Sequence, residues 1–203
     1  MHQSPSKRVN LAVSGLAIFA LMTGCAASTA DVSGPASTVE APAFLPPDFD
    51  PPVLVETPDF KLVPLGPELT EIDYRAYMSS IDHLQRTFTR STNWPHEGLT
   101  LDDALVDMQT EQRRFAARES FAYAVLTPDG SRELGSVYVQ PSPVDGYDAV
   151  VRMWVTKSDY ERGFDRELYR WVQGWIASEW PFKNVVYPGR STSWGEWDAL
   201  VPG

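Results

Sequence analysis

The stretch from Asp148 to Trp180 sets the tightest limits on how this chain can fold. Ala149-Val150-Val151-Arg152-Met153-Trp154-Val155 has the β-branched and aromatic make-up of a strand. A short charged turn, Thr156 to Gly163, follows it. Leu168, Trp171, Val172, Trp175 and Ile176 then fall at i, i+3, i+4, i+7 and i+8, one face of a helix that Pro181 closes. A strand that feeds a helix through a tight turn leaves free amide N–H groups at the helix start, an arrangement that receives anions.

The chain has 203 residues, enough for one domain with appendages. Its seven Trp, eight Tyr and nine Phe supply ample core material. The formal charge of −10 argues against a nucleic-acid partner, which requires clustered Lys and Arg. With one cysteine there is no intrachain disulfide and no cysteine-rich metal site. The three histidines, His2, His83 and His96, have no metal-ligand spacing, so no metal is expected. His83 and His96 read as surface residues.

Lys7 and Arg8 precede a largely apolar run, Leu11 to Met22, which ends in Met22-Thr23-Gly24-Cys25. These are the marks of a secretory leader, and the run is shorter than the roughly 20 apolar residues of a spanning helix. The last four residues resemble a bacterial lipoprotein processing box, with Met22 in the place usually held by Leu. That resemblance implies a signal peptide over 1–24, lipidation of Cys25, and a protein anchored to a membrane of the cell envelope through that lipid, facing away from the cytosol. Ordinary cleavage after Ala27 or Ala30 is one alternative; translation from Met22, giving a cytosolic protein, is another. Residues 25–52, rich in Ala, Ser, Thr and Pro, read as a flexible tether. A single domain over 53–190 and a C-terminal tail over 191–203, packed back by Trp194 and Trp197, complete the organisation.

Within the domain, Phe60 to Leu65 reads as a strand and Asp73 to Phe88 as a helix. A second helix starts after Thr100, which stands three residues before Asp103 as in a capping box. Phe121–Thr127 and Glu133–Gln140 form a hairpin about Pro128-Asp129-Gly130-Ser131. After the long helix, Asn184 to Tyr187 is a short strand, parallel to 148–155 because a helix connects the two.

The order strand, helix, helix, hairpin, strand, loop, helix, strand resembles the GNAT-type N-acetyltransferase superfamily from about Phe44 to Arg190. The similarity is carried by Phe60 to Leu65, Asp73-Tyr74-Arg75-Ala76-Tyr77-Met78-Ser79-Ser80, Gly135-Ser136-Val137-Tyr138-Val139, and Trp180-Pro181-Phe182 before Tyr187-Pro188-Gly189-Arg190. It implies an α/β fold with a mixed, mostly antiparallel sheet and flanking helices, opened by a cleft for acetyl-coenzyme A. Met153 to Val155, with Trp154 and Val155 as binding residues, would pair with the pantetheine arm. The turn from Lys157 to Asp165, with Arg162, Gly163 and Phe164, would hold the diphosphate. A small amine would attack the thioester, and Tyr187 would give the leaving thiolate its proton, unless it serves only in packing. The family's phosphate loop has Gln or Arg, two variable residues, Gly, one more residue, then Gly or Ala. Here those places are Tyr160, Gly163 and Asp165, so only the central glycine is kept. Asp165 brings a carboxylate toward the phosphate, although Asp also suits a helix start. Two functions follow: acyl transfer from acyl-coenzyme A to an amine, or a lipid-anchored envelope protein with a non-catalytic GNAT-like binding module.

Overall fold

In the computed structural model, which describes residues 43–202, six strands lie side by side in chain order. These are β1 (Val55–Glu56), β2 (Lys61–Pro64), β3 (Phe121–Leu126), β4 (Glu133–Pro141), β5 (Ala149–Val155) and β6 (Val185–Val186). All neighbours are antiparallel except β5 and β6, which run parallel across the helical connection. The leader, Cys25 and the tether up to residue 42 lie outside the described residues. Among the described residues no helix is long and apolar enough to cross a membrane.

The helices are α1 (Thr70–Met78), α2 (Ile81–Leu84), α3 (Leu101–Ala116), α4 (Lys157–Glu161), α5 (Phe164–Glu179) and α6 (Trp194–Leu200). The α5 stripe is buried as its period requires: Leu168, Val172 and Ile176 pack on Val137, Val139, Val151, Met153 and Val155. Each fully buried aliphatic side chain contributes about 1.5–3 kcal/mol. The other sheet face, with Ala122, Ala124, Tyr138 and Trp154, is covered by α1, α2 and α3. The hairpin turns as its residues dictate, with Gly130 at φ 76° and the Asp129 carboxylate accepting from Thr127 and Ser131. The α3 capping box is present, Thr100 and Asp103 each accepting from the other's backbone N–H.

Four expectations are corrected. The helix expected over 73–88 is broken at Ser79-Ser80 and finishes as a π-turn, Gln85–Thr89, before Arg90 at φ 55°. Serine hydroxyls compete for backbone groups: Ser79 donates to the Ala76 carbonyl at 2.6 Å and Ser80 accepts from the Lys157 N–H at 2.9 Å. The expected turn at 156–163 contains α4, because Thr156 caps it by accepting from the Asp159 N–H. Residues 43–52, assigned to the tether, are docked instead: Phe44 stacks on Phe121 and Phe182, Leu45 is buried, and Arg118 donates to the Pro46 and Phe49 carbonyls. His83 is buried rather than on the surface, its ring 4.8 Å from that of Tyr160. The strand β1 has too few residues to leave a periodic signal.

Candidate functional site

The parallel pairing of β5 with β6 stops early. Only Ala149 and Val150 have partners, Val185 and Val186. Asp148 fastens that end, its N–H donating to the Asn184 carbonyl at 2.7 Å while its carboxylate accepts from the Lys183 and Asn184 N–H groups. Beyond Val150 the outer edge of β5 runs on without a strand beside it.

The phase of the β4–β5 ladder determines which groups that edge offers. The Thr156 N–H donates to the Leu134 carbonyl at 2.8 Å, so Trp154, two residues earlier, exchanges its backbone hydrogen bonds with Ser136. Met153 and Val155 are the alternate residues, and their N–H and C=O groups point outward. Val155 is thus on the outer edge of β5. Trp154 has its backbone turned to β4, and its indole N–H donates to the Tyr138 hydroxyl at 3.2 Å on the other sheet face.

Past β5 the chain enters the region expected to meet diphosphate. Gly163 takes φ 88°, a left-handed conformation that favours glycine, and a Cβ there would meet no atom within 4 Å. The α5 amides that follow, Phe164 and Asp165, open the helix and have no carbonyl one turn earlier to bond. The side chains around them are engaged with one another. Arg162 forms an ion pair with the buried Asp159, which also receives Arg132 at 2.6 Å. Phe164 packs edge-on against Phe60 at 5.6 Å. Asp165 holds a two-pronged ion pair with Arg190, at 2.5 and 2.6 Å. The carboxylate that would repel phosphate is thus neutralised by a residue from the segment after β6.

Tyr187, at the exit of β6, is buried and packs edge-on against Tyr169 of α5 at 5.6 Å. Burial, and then the neighbouring Tyr169, push its phenol up to about 12. At neutral pH it keeps its proton, so it can donate one but not remove one. Past β6 the chain meets the C-terminal segment. A Cβ on Gly189, just past β6, would lie 2.5 Å from the Trp194 ring, and the Arg90 guanidinium sits 4.2 Å from that ring's centroid. Arg90 is also paired with Asp198 of α6 at 2.7 Å. Trp194 of the C-terminal segment thus lies between Gly189 and Arg90.

Two carboxyls missed in the sequence lie under α1. Asp73 and Glu133 are both buried, and Ser136 donates its hydroxyl to Glu133 Oε1 at 2.8 Å. Burial raises both above the ordinary carboxyl range, Asp73 to about 7 even though its contact with Glu133 pulls it down, and Glu133 further still because the Asp73 charge adds to its burial. Glu133, raised well above the ordinary range, keeps its proton at neutral pH; its Oε2 has no hydrogen-bond partner. No linear spacing connects a helix residue with the first residue of a later strand, so the pair leaves no motif.

No family model and no curated protein matches this chain. Solved structures do. The ribosomal-protein-S5-alanine acetyltransferase of Vibrio fischeri is 12% identical over 73% of this chain and 82% of its own, with a TM-score of 0.54. RimL, a ribosomal L7/L12 alpha-N-protein acetyltransferase in complex with coenzyme A, is 11% identical over 66% of this chain and 73% of its own, with a TM-score of 0.54. Its apo form gives a TM-score of 0.52 at 11% identity, over 66% of this chain and 70% of that one. At such identities the likeness establishes the fold.

Proposed function

With the GNAT-type α/β fold as premise, we propose that this chain binds an acyl-coenzyme A and transfers its acyl group to a small amine. The observation that carries this reading is the outer edge of β5 beyond Val150, where the Met153 and Val155 backbone groups face a gap with no partner strand. The edge leads to Gly163 and the first amides of α5, the two structural needs of a diphosphate site. When bound, acetyl-coenzyme A supplies an acyl carbonyl activated as a thioester. The residues fit its arm along the strand; at the diphosphate end they fit only because Arg190 offsets Asp165.

The chemistry left to the protein is orientation and proton handling. The Met153 and Val155 N–H and C=O groups hold an extended arm in β-like register. An outward N–H at this edge is the donor able to stabilise negative charge on a carbonyl oxygen. The proton for a leaving thiolate is assigned to Tyr187 at the end of β6, whose burial raises its phenol to about 12 and so works against that transfer.

A second reading, a lipid-anchored envelope protein with a non-catalytic module, is favoured by one specific observation. Two cations near the α5 start, Arg162 and Arg190, are paired with Asp159 and Asp165, and Trp194 lies against Gly189 just past β6. The module reading goes with a place in the bacterial envelope through lipid on Cys25, an inference from the leader sequence, whereas acyl transfer, whose cofactor is cytosolic, goes with translation from a downstream start such as Met22; mass spectrometry of the native N-terminus separates the two, and an acylated Cys25 sinks the cytosolic one. Calorimetric titration with acetyl-coenzyme A separates the readings. Saturable binding below about 100 μM, within the usual range for enzyme substrates, supports the enzyme; no heat at that concentration supports the module.

A further inference from the structure

The face of β5 turned away from α5 carries a cation with no counter-charge. Arg152 places its guanidinium 4.6 Å from the Phe88 ring centroid and 5.8 Å from that of Trp194, and donates from Nη2 to the Phe88 carbonyl at 2.9 Å. Its Nε is buried and has no acceptor. Among the described residues no carboxylate forms an ion pair with it; the neighbours that bear on its charge are Tyr138 and Arg90. Holding a cation out of water without an anion is costly, and an incoming anion removes that cost.

Beside Arg152 a cleft of about 490 Å³ opens between the end of α3, the ends of β4 and β5, and α6. Its apolar walls include Pro141, Val150, Trp197 and Val201. Ser120, also in its lining, is buried and has a hydroxyl without a partner. At the rim Arg114 is paired with Glu111 at 2.9 Å, and Glu119, which forms no ion pair among the described residues, is the one acid in the lining; Arg152 is the cation there without a carboxylate partner.

We propose that this cleft is a binding site for a monocarboxylate with an apolar body, its carboxylate on Arg152 and Ser120 and its body against Val150 and Trp197. One guanidinium and one hydroxyl match a single negative charge, whereas a phosphate dianion would bring more charge than the cleft neutralises. The volume suits a small organic ligand. The site lies on the sheet face that α1, α2 and α3 cover and not along the outer edge of β5, and the inference does not depend on acyl transfer.

Calorimetric titration of the full chain with octanoate, octanol and octylamine tests it. Octanoate is expected to bind saturably, octanol at least about tenfold more weakly, and octylamine not at all, because a charge-assisted hydrogen bond is the main anchor. Arg152→Gln should weaken octanoate binding about tenfold or more, Arg152→Lys should restore part of it, and Ser120→Ala should weaken it about threefold. The proposal is overturned if octanoate gives no saturable heat, if octanol binds equally well, or if folded Arg152→Gln and Ser120→Ala proteins bind octanoate unchanged. Should Arg152→Gln fail to fold, the octanol comparison and Ser120→Ala decide the matter.

Discussion

The two faces of β5 are built from the same seven residues and differ in almost every other respect. Val151, Met153 and Val155 point into an apolar core and meet only hydrocarbon and aromatic partners from α5 and the neighbouring strands. Val150, Arg152 and Trp154 point to the side where the tail, the π-turn and the buried acids gather. The first face holds the fold together by burial. On the second, charges are kept out of water and must be compensated, which is how binding sites differ from cores.

The largest expected effect that separates the faces is on the apolar one. Leu168→Ala removes a fully buried side chain from the α5 stripe and should cost about 2–5 kcal/mol of stability. Chemical denaturation measures it. A loss below 1 kcal/mol would mean that α5 is not seated as described.

Next comes the acid pair on the polar side. Asp73 has its folded-state pKa raised from 3.8 to about 7 by burial, with Glu133 raised as well. The folded protein therefore binds more protons than the unfolded chain between about pH 4 and 7. Stability from this pair is full below the unfolded pKa and falls as pH rises through about 7. Wild type should lose roughly 2–4 kcal/mol more than Asp73→Asn across that range. Parallel curves for the two proteins would show that burial does not raise the Asp73 carboxyl.

The smallest effect is at the diphosphate end. Asp165→Gly frees Arg190 from its two-pronged pair, leaving a cation beside the α5 amides. Affinity for acetyl-coenzyme A should rise about tenfold, near 1.4 kcal/mol. Unchanged affinity would assign Asp165 to holding the segment after β6, not to excluding phosphate.

Much of the apolar face was legible in the sequence, because burial leaves a period. The α5 stripe, the Pro-Asp-Gly hairpin and the Thr100/Asp103 cap are local patterns with local causes. The polar side was less legible. Asp159 reads as one acid in a charged turn, yet it is buried and held by Arg132 from the turn between β3 and β4. Asp165 reads as a repulsive carboxylate until Arg190 is found beside it. Asp73 and Glu133 meet only once α1 has docked on the sheet. Pairings of this kind are made by tertiary structure, and spacing along the chain carries no trace of them. Residues 43–52 illustrate the same limit: their Pro-rich composition indicates a tether, while three apolar side chains among them are enough to dock it.

The most direct test of the account concerns the outer edge of β5. Amide hydrogen exchange at single-residue resolution, with and without saturating acetyl-coenzyme A, should show Met153 and Val155 gaining protection while Trp154, already bonded to β4, does not change. Binding of the cofactor with no added protection at Met153 or Val155 would contradict the assignment of that edge as its site.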